Sequence, residues 1–137
     1  MIRIGFAFLL VFLTLASCRD SISRVPDVPV YITININQPA FFDLTVPAGW
    51  VYVTGGSRGI IVYRKSMDEF IALERHSPYQ PEDNCAVVVN DDNVIISDPC
   101  SDSQWLIMDG TIEQGPTAFA LKTYSTTYSN SILTISN

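Results

Sequence analysis

Hydrophobic and polar positions along this chain fall into two regimes. Residues 4–13 (IGFAFLLVFL) are almost wholly apolar and follow a single basic residue, Arg3. Ten residues are too few to cross a hydrocarbon core, which takes about 20; the run has the length of a signal-peptide h-region and is set aside from fold reasoning. Beyond it the apolar stretches are short and alternate with period two or form compact blocks, and no stretch carries a helical period. Residues 28–36 (VPVYITINI) place Val30, Ile32, Ile34 and Ile36 on one face and Tyr31, Thr33 and Asn35 on the other. Pro47, Ala48 and Gly49 turn the chain into a strand at 50–54, and Gly55, Gly56 and Ser57 turn it again. Residues 59–63 (GIIVY) and 70–74 (FIALE) read as buried strands joined at 66–69. Residues 86–89 and 94–96 form a hairpin across 90–93. A strand at 104–108 precedes a turn at Asp109 and Gly110, and 121–128 pairs with 132–136 in a closing hairpin. About nine short strands with polar turns and no internal linker or repeat predict one all-β antiparallel domain, a sandwich or small barrel.

The residues closing the apolar run refine this picture. Leu15, Ala16, Ser17 and Cys18 resemble the lipobox of bacterial lipoproteins, in which the cysteine thiol takes a diacylglycerol and the chain is cut just before it. The resemblance implies a signal peptide over 1–17, a lipidated tether over 18–29, a domain over 30–137, and membrane attachment through lipid on Cys18, several acyl chains giving a firm anchor. The expected location is the cell envelope, lipid-anchored and facing the periplasm or the cell surface. Cleavage leaves 120 residues, enough for one domain with a proper core. It also removes Arg3, leaving seven basic against fourteen acidic residues and a net charge of −7. Such a charge offers no electrostatic basis for binding nucleic acid or anionic lipid head groups. With Cys18 lipidated, Cys85 and Cys100 remain, and in an oxidising compartment the pair is expected as a disulfide.

From residue 44 onward the order of landmarks resembles the Rieske iron–sulfur domain. A hairpin (59–74) leads to Arg75, His76, Ser77, Pro78 and Tyr79. A second hairpin leads to Asp98, Pro99, Cys100, Ser101, Asp102, Ser103, Gln104 and Trp105. Asp109 and Gly110, then Gly115, Pro116 and Thr117, follow at the spacing of the family's proline loop. The resemblance implies a Rieske-like antiparallel β fold. Family members hold a [2Fe–2S] cluster with C-x-H and C-x-x-H boxes, two cysteines on one iron and two histidines on the other. The first box falls on Ser77 and Tyr79 and the second on Asp98 and Ser101, so all four ligand positions are degenerate. Cys100 falls where many members keep a disulfide cysteine, and Cys85 is its expected partner. The chain contains one histidine, His76, so no register supplies two imidazoles and two thiolates, and hydroxyls are poor ligands for such irons.

No other chemistry competes strongly. Cys85, Cys100, His76 and Asp98 form a conceivable mixed donor set. Asp91 and Asp92 read as turn formers rather than calcium ligands, since the rest of a calcium loop is absent. Asp98, Ser101 and Asp102 read as a solvated loop tip. A serine triad lacks a base with a recognisable partner. The expectation is therefore no enzymatic activity, no cofactor, and a binding or structural role toward an unidentified protein or small molecule, with a [2Fe–2S] electron-transfer protein as the alternative. The loops 75–79 and 98–105 are the expected contact surface, with Tyr79 and Trp105 as its aromatic anchors.

Overall fold

The structure is a computed structural model that describes residues 25–137. The expected signal peptide, Cys18 and most of the tether lie outside the described residues. Ten strands run in chain order: β1 (Tyr31–Asn35), β2 (Trp50–Val53), β3 (Ile60–Arg64), β4 (Phe70–Glu74), β5 (Val88–Val89), β6 (Ile95–Ser97), β7 (Gln104–Leu106), β8 (Ile112–Gln114), β9 (Thr123–Ser129) and β10 (Ile132–Ser136). They form a six-stranded sheet of order β1-β10-β9-β4-β3-β2 and a four-stranded sheet of order β5-β6-β7-β8. Every pairing is antiparallel. The larger sheet curls on itself, bringing Ile32 of β1 against Gly55 just beyond β2. The smaller sheet is inserted between β4 and β9 and carries the two loops that matter below. This all-β, antiparallel two-sheet arrangement is the one expected from the strand pattern.

The patterns that predicted the strands also explain the layers. In β1 the burial alternates as the sequence does, with Ile34 buried and Tyr31, Thr33 and Asn35 exposed. Strands β3 and β4 are apolar on both faces because each face meets a core. Ile60, Val62 and Ala72 point into the curl of the large sheet with Ile34, Leu44, Leu133 and Ile135. Ile61 and Leu73 point the other way, against Val87, Ile96 and Trp105 of the small sheet and its flanks. A half-solvated strand would alternate; a strand between two layers reads as an unbroken apolar block, as GIIVY does.

Three elements differ from expectation. A 3-10 segment at Pro39–Thr45 buries only Leu44, and a single anchored position leaves no period to read. A 3-10 turn at Pro81–Asp83 buries nothing. Strand β8 is fully exposed and sits at the sheet edge beside a register shift in β7, so it has no apolar face to betray it. Part of the stretch expected as tether is also fastened down. Val25 is buried, Asp27 pairs with Lys122 at 2.6 Å, and the Asn137 amide donates to the Val28 carbonyl at 2.9 Å.

Candidate functional site

The loop after β4 (75–87) and the loop after β6 (98–103) face each other at one end of the small sheet. Their backbones are tied first by short-range geometry. His76 makes an isolated antiparallel bridge with Ala86, and the Ser77 amide donates to the Cys85 carbonyl at 2.9 Å. The second loop closes when the Asp98 amide donates to the Ser103 carbonyl at 3.0 Å. A disulfide between Cys85 and Cys100, Cα atoms 6.3 Å apart, then joins the two loops. The expected pair is therefore the one formed.

Three of the four box positions come together in side-chain contact. The Asp98 carboxylate is buried and is the hub. Its Oδ2 accepts from Ser77 Oγ at 2.8 Å and from Ser101 Oγ at 2.9 Å, and its Oδ1 accepts from the Cys100 amide at 2.9 Å. Tyr79, the fourth, is half-buried and joins through its backbone, donating to Ser77 Oγ at 3.2 Å. Expected as part of a solvated tip, Asp98 is instead an internal acceptor, because a buried carboxylate must be met by donors. Cys85, Asp98 and Cys100 carry donor atoms within 4.8 Å of one another, but the two sulfurs are bonded to each other and offer no thiolate.

The [2Fe–2S] cluster implied by the resemblance can be tested against these residues. The box positions present three hydroxyls and a carboxylate, and the Ser77 and Ser101 hydroxyls are already spent on the Asp98 carboxylate. His76, the only imidazole in the chain, is buried. Its Nε2 donates to the Pro81 carbonyl at 2.7 Å, and its Nδ1 shares a hydrogen bond of 2.8 Å with Ser57 Oγ. Both ring nitrogens are thus already engaged. The residues present do not fit the group.

One sequence reading changes here. Trp105 is 0% exposed; its indole N–H donates to the Phe119 carbonyl at 2.9 Å, and it belongs to the core beneath the loops rather than to any contact surface. The sequence reading also missed Glu74, which ends β4 behind the first loop. Its fully buried carboxylate accepts from the amides of Ser57 (2.7 Å), Arg58 (3.0 Å) and His76 (2.8 Å) and from the Tyr124 hydroxyl (2.7 Å). The signal was the Gly55-Gly56-Ser57 run. Gly56 has φ +61°, and a Cβ there would meet Glu74 Oε2 at 2.2 Å and the Tyr124 hydroxyl at 2.6 Å. Only glycine lets this loop wrap the carboxylate so closely. Burial, then the hydrogen bond to Glu74 and its charge, push the Tyr124 phenol well above its ordinary value.

No protein-family model and no curated protein matches the chain. Among solved structures it is similar to the protein assigned as the NADH-dependent nitrite reductase small subunit of Mycobacterium tuberculosis, at 14% identity and TM-score 0.47 over 81% of this chain and 97% of that one. It is also similar to the ferredoxin of carbazole 1,9a-dioxygenase from Nocardioides aromaticivorans IC177, at 12% identity and TM-score 0.49 over 80% and 97%. A further likeness is to the E. coli protein NirD, at 13% identity and TM-score 0.45 over 83% and 96%. At such identities these are likenesses of fold alone.

Proposed function

We propose that this protein is a lipid-anchored component of the cell envelope whose Rieske-like domain acts by binding or as a structural part, without an iron–sulfur cluster and without catalysing a reaction. The observation that carries the reading is the Asp98 hub. Where two cysteines and two histidines would converge on irons, a carboxylate accepts hydrogen bonds from Ser77, Ser101 and the Cys100 amide. A hydrogen-bonded network of this kind holds the two loops together directly. The L-A-S-C run ending at Cys18 supports the anchor, and an acidic net charge supports a partner other than nucleic acid. Among the described residues no helix is long and apolar enough to cross a membrane.

The decisive measurement is the iron and acid-labile sulfide content of the full chain, purified in detergent after anaerobic expression with iron supplied. The expected outcome is neither iron nor sulfide above trace. Stoichiometric iron and sulfide, with the electron-spin signal of a reduced cluster, would overturn the reading in favour of a [2Fe–2S] electron-transfer protein. The anchor is tested separately: Cys18→Ala abolishes lipid labelling, whereas persistent labelling would place the lipid elsewhere.

A further inference from the structure

Five cationic side chains lie among the described residues: Arg58, Arg64, Lys65, Arg75 and Lys122. Lys65 pairs with Glu69 at 3.5 Å, and Lys122 pairs with Asp27 at 2.6 Å. Arg64 is buried. It donates to the carbonyls of Leu44, Ser66 and Met67 and lies over the rings of Phe70 and Tyr128. Arg58 and Arg75 form no ion pair with any described carboxylate. In a chain with fourteen acidic residues, these two unpaired cations line the same shallow groove, of about 510 Å³, between β2 and the loop before β3.

The Arg75 guanidinium is held in place before any ligand arrives. Its Nε donates to the Val87 carbonyl at 3.0 Å, and its carbon lies 3.9 Å from the centroid of the Tyr52 ring. Tyr52 is itself fixed, its hydroxyl accepting from the Val89 amide at 3.0 Å. No described acceptor takes the two terminal nitrogens of Arg75. Gly59, at φ +100°, passes close beside this side chain, where a Cβ would sit 3.4 Å from Arg75 Cδ. Arg58 is exposed, and its side chain makes no hydrogen bond among the described residues. Glu74, beside Arg75 in the chain, lies behind the loop with both oxygens taken by Ser57, Arg58, His76 and Tyr124. The amides of Ser57, Arg58 and Gly59 are therefore occupied, and an incoming anion would be met chiefly by guanidinium groups.

We propose that this groove is a binding site for an oxyanion, a carboxylate or phosphate group on a small ligand, gripped by the pre-set fork of Arg75 and by Arg58. A planar guanidinium presents parallel N–H donors that match paired anionic oxygens, and stacking on an aromatic ring keeps the plane oriented. The site is independent of what the box positions bind.

The test is a titration of the ¹⁵N-labelled full chain in neutral detergent, with inorganic phosphate in one arm and acetate in the other, at constant ionic strength set by chloride. The expected result is saturable shifts confined to the amides of 55–59 and Arg75 and to the Arg75 Nε–H. Saturation in one arm only identifies which oxyanion the site takes. Arg58→Gln, at an exposed side chain with no hydrogen bond or ion pair among the described residues, is expected to weaken binding about tenfold while signals elsewhere keep their positions. Arg75→Lys, which keeps the charge and loses the fork, is expected to weaken it as well. Shifts that fail to saturate in both arms, that scatter over the surface, or that survive Arg58→Gln unchanged would overturn the proposal.

Discussion

Glu74 illustrates how one buried acid organises its surroundings. Its carboxylate draws two amides of the 55–59 loop, the His76 amide and the Tyr124 hydroxyl to one point, and the loop it gathers carries Arg58. Replacing it with an isosteric amide turns two acceptor lone-pair sites into donors that face other donors. Glu74→Gln is therefore expected to destabilise the protein by about 2 kcal/mol, seen as a lowered urea midpoint with an unchanged slope. An effect below about 0.5 kcal/mol, the size of an ordinary surface change, would show that the loop finds its shape without this acid. Trp105 teaches the converse. An aromatic residue beside a polar loop reads as a binding anchor in one dimension, but its position on β7 turns it inward onto Ile61 and Leu73.

Loops are positioned by what ties them, and here the ties are of two kinds. The Cys85–Cys100 bridge closes a loop with a sequence separation of 15, worth roughly 3 kcal/mol in the chain-entropy account. The Asp98 hub adds direct hydrogen bonds across the same gap. Reduction, or a Cys85→Ser/Cys100→Ser double variant, is expected to lower stability by about that amount while leaving the small sheet paired, because β5 to β8 keep their own ladders. Differential scanning calorimetry with and without reductant reads the loss. A reduced protein as stable as the oxidised one would mean that the hydrogen bonds alone hold the loops. Cysteine pairing was legible before the structure because few cysteines were available to pair. Strand β8 and the two 3-10 segments were not, because an element with no buried face leaves no pattern.

Across the molecule, charged groups set how stability follows pH. Asp27 is held below its ordinary value of 3.8 by the hydrogen bond and charge of Lys122. Asp92 is held there by the backbone amides of Ile95 and Val94, and Asp109 by the hydroxyl and amide of Thr111. Each binds its proton more weakly in the fold than in the unfolded chain, so their contribution is present above about pH 4 and lost as pH falls through the lowered values. Asp27 and Asp92 are exposed, which makes this acid limb shallow. Tyr124 has the opposite sign. Raised above its ordinary 10.0, it keeps its proton in the fold after the unfolded chain has released it, so stability is lost as pH rises beyond about 10. Melting temperature followed by circular dichroism against pH is expected to be flat from roughly pH 5 to 9 and to fall on either side. Tyr124→Phe is expected to soften the alkaline fall, and an unaltered alkaline limb would remove Tyr124 as its cause.

Local chemistry was enough to settle every strand but β8 in its order along the chain, the buried apolar blocks of β3 and β4, the cysteine pair and the want of a second imidazole. Each of these depends on residue identity and short-range spacing, which a linear string carries in full. Tertiary structure decided the rest: that Asp98 is an internal hub, that Trp105 is core, that His76 is locked between Ser57 and Pro81, and that Arg58 and Arg75 share a groove while the other described cations are paired or buried. Those facts rest on contacts such as Ser77 to Asp98, 21 positions apart, and Ser57 to His76, 19 apart, and burial decides whether a polar group meets water or another side chain. No periodicity along the chain encodes that choice.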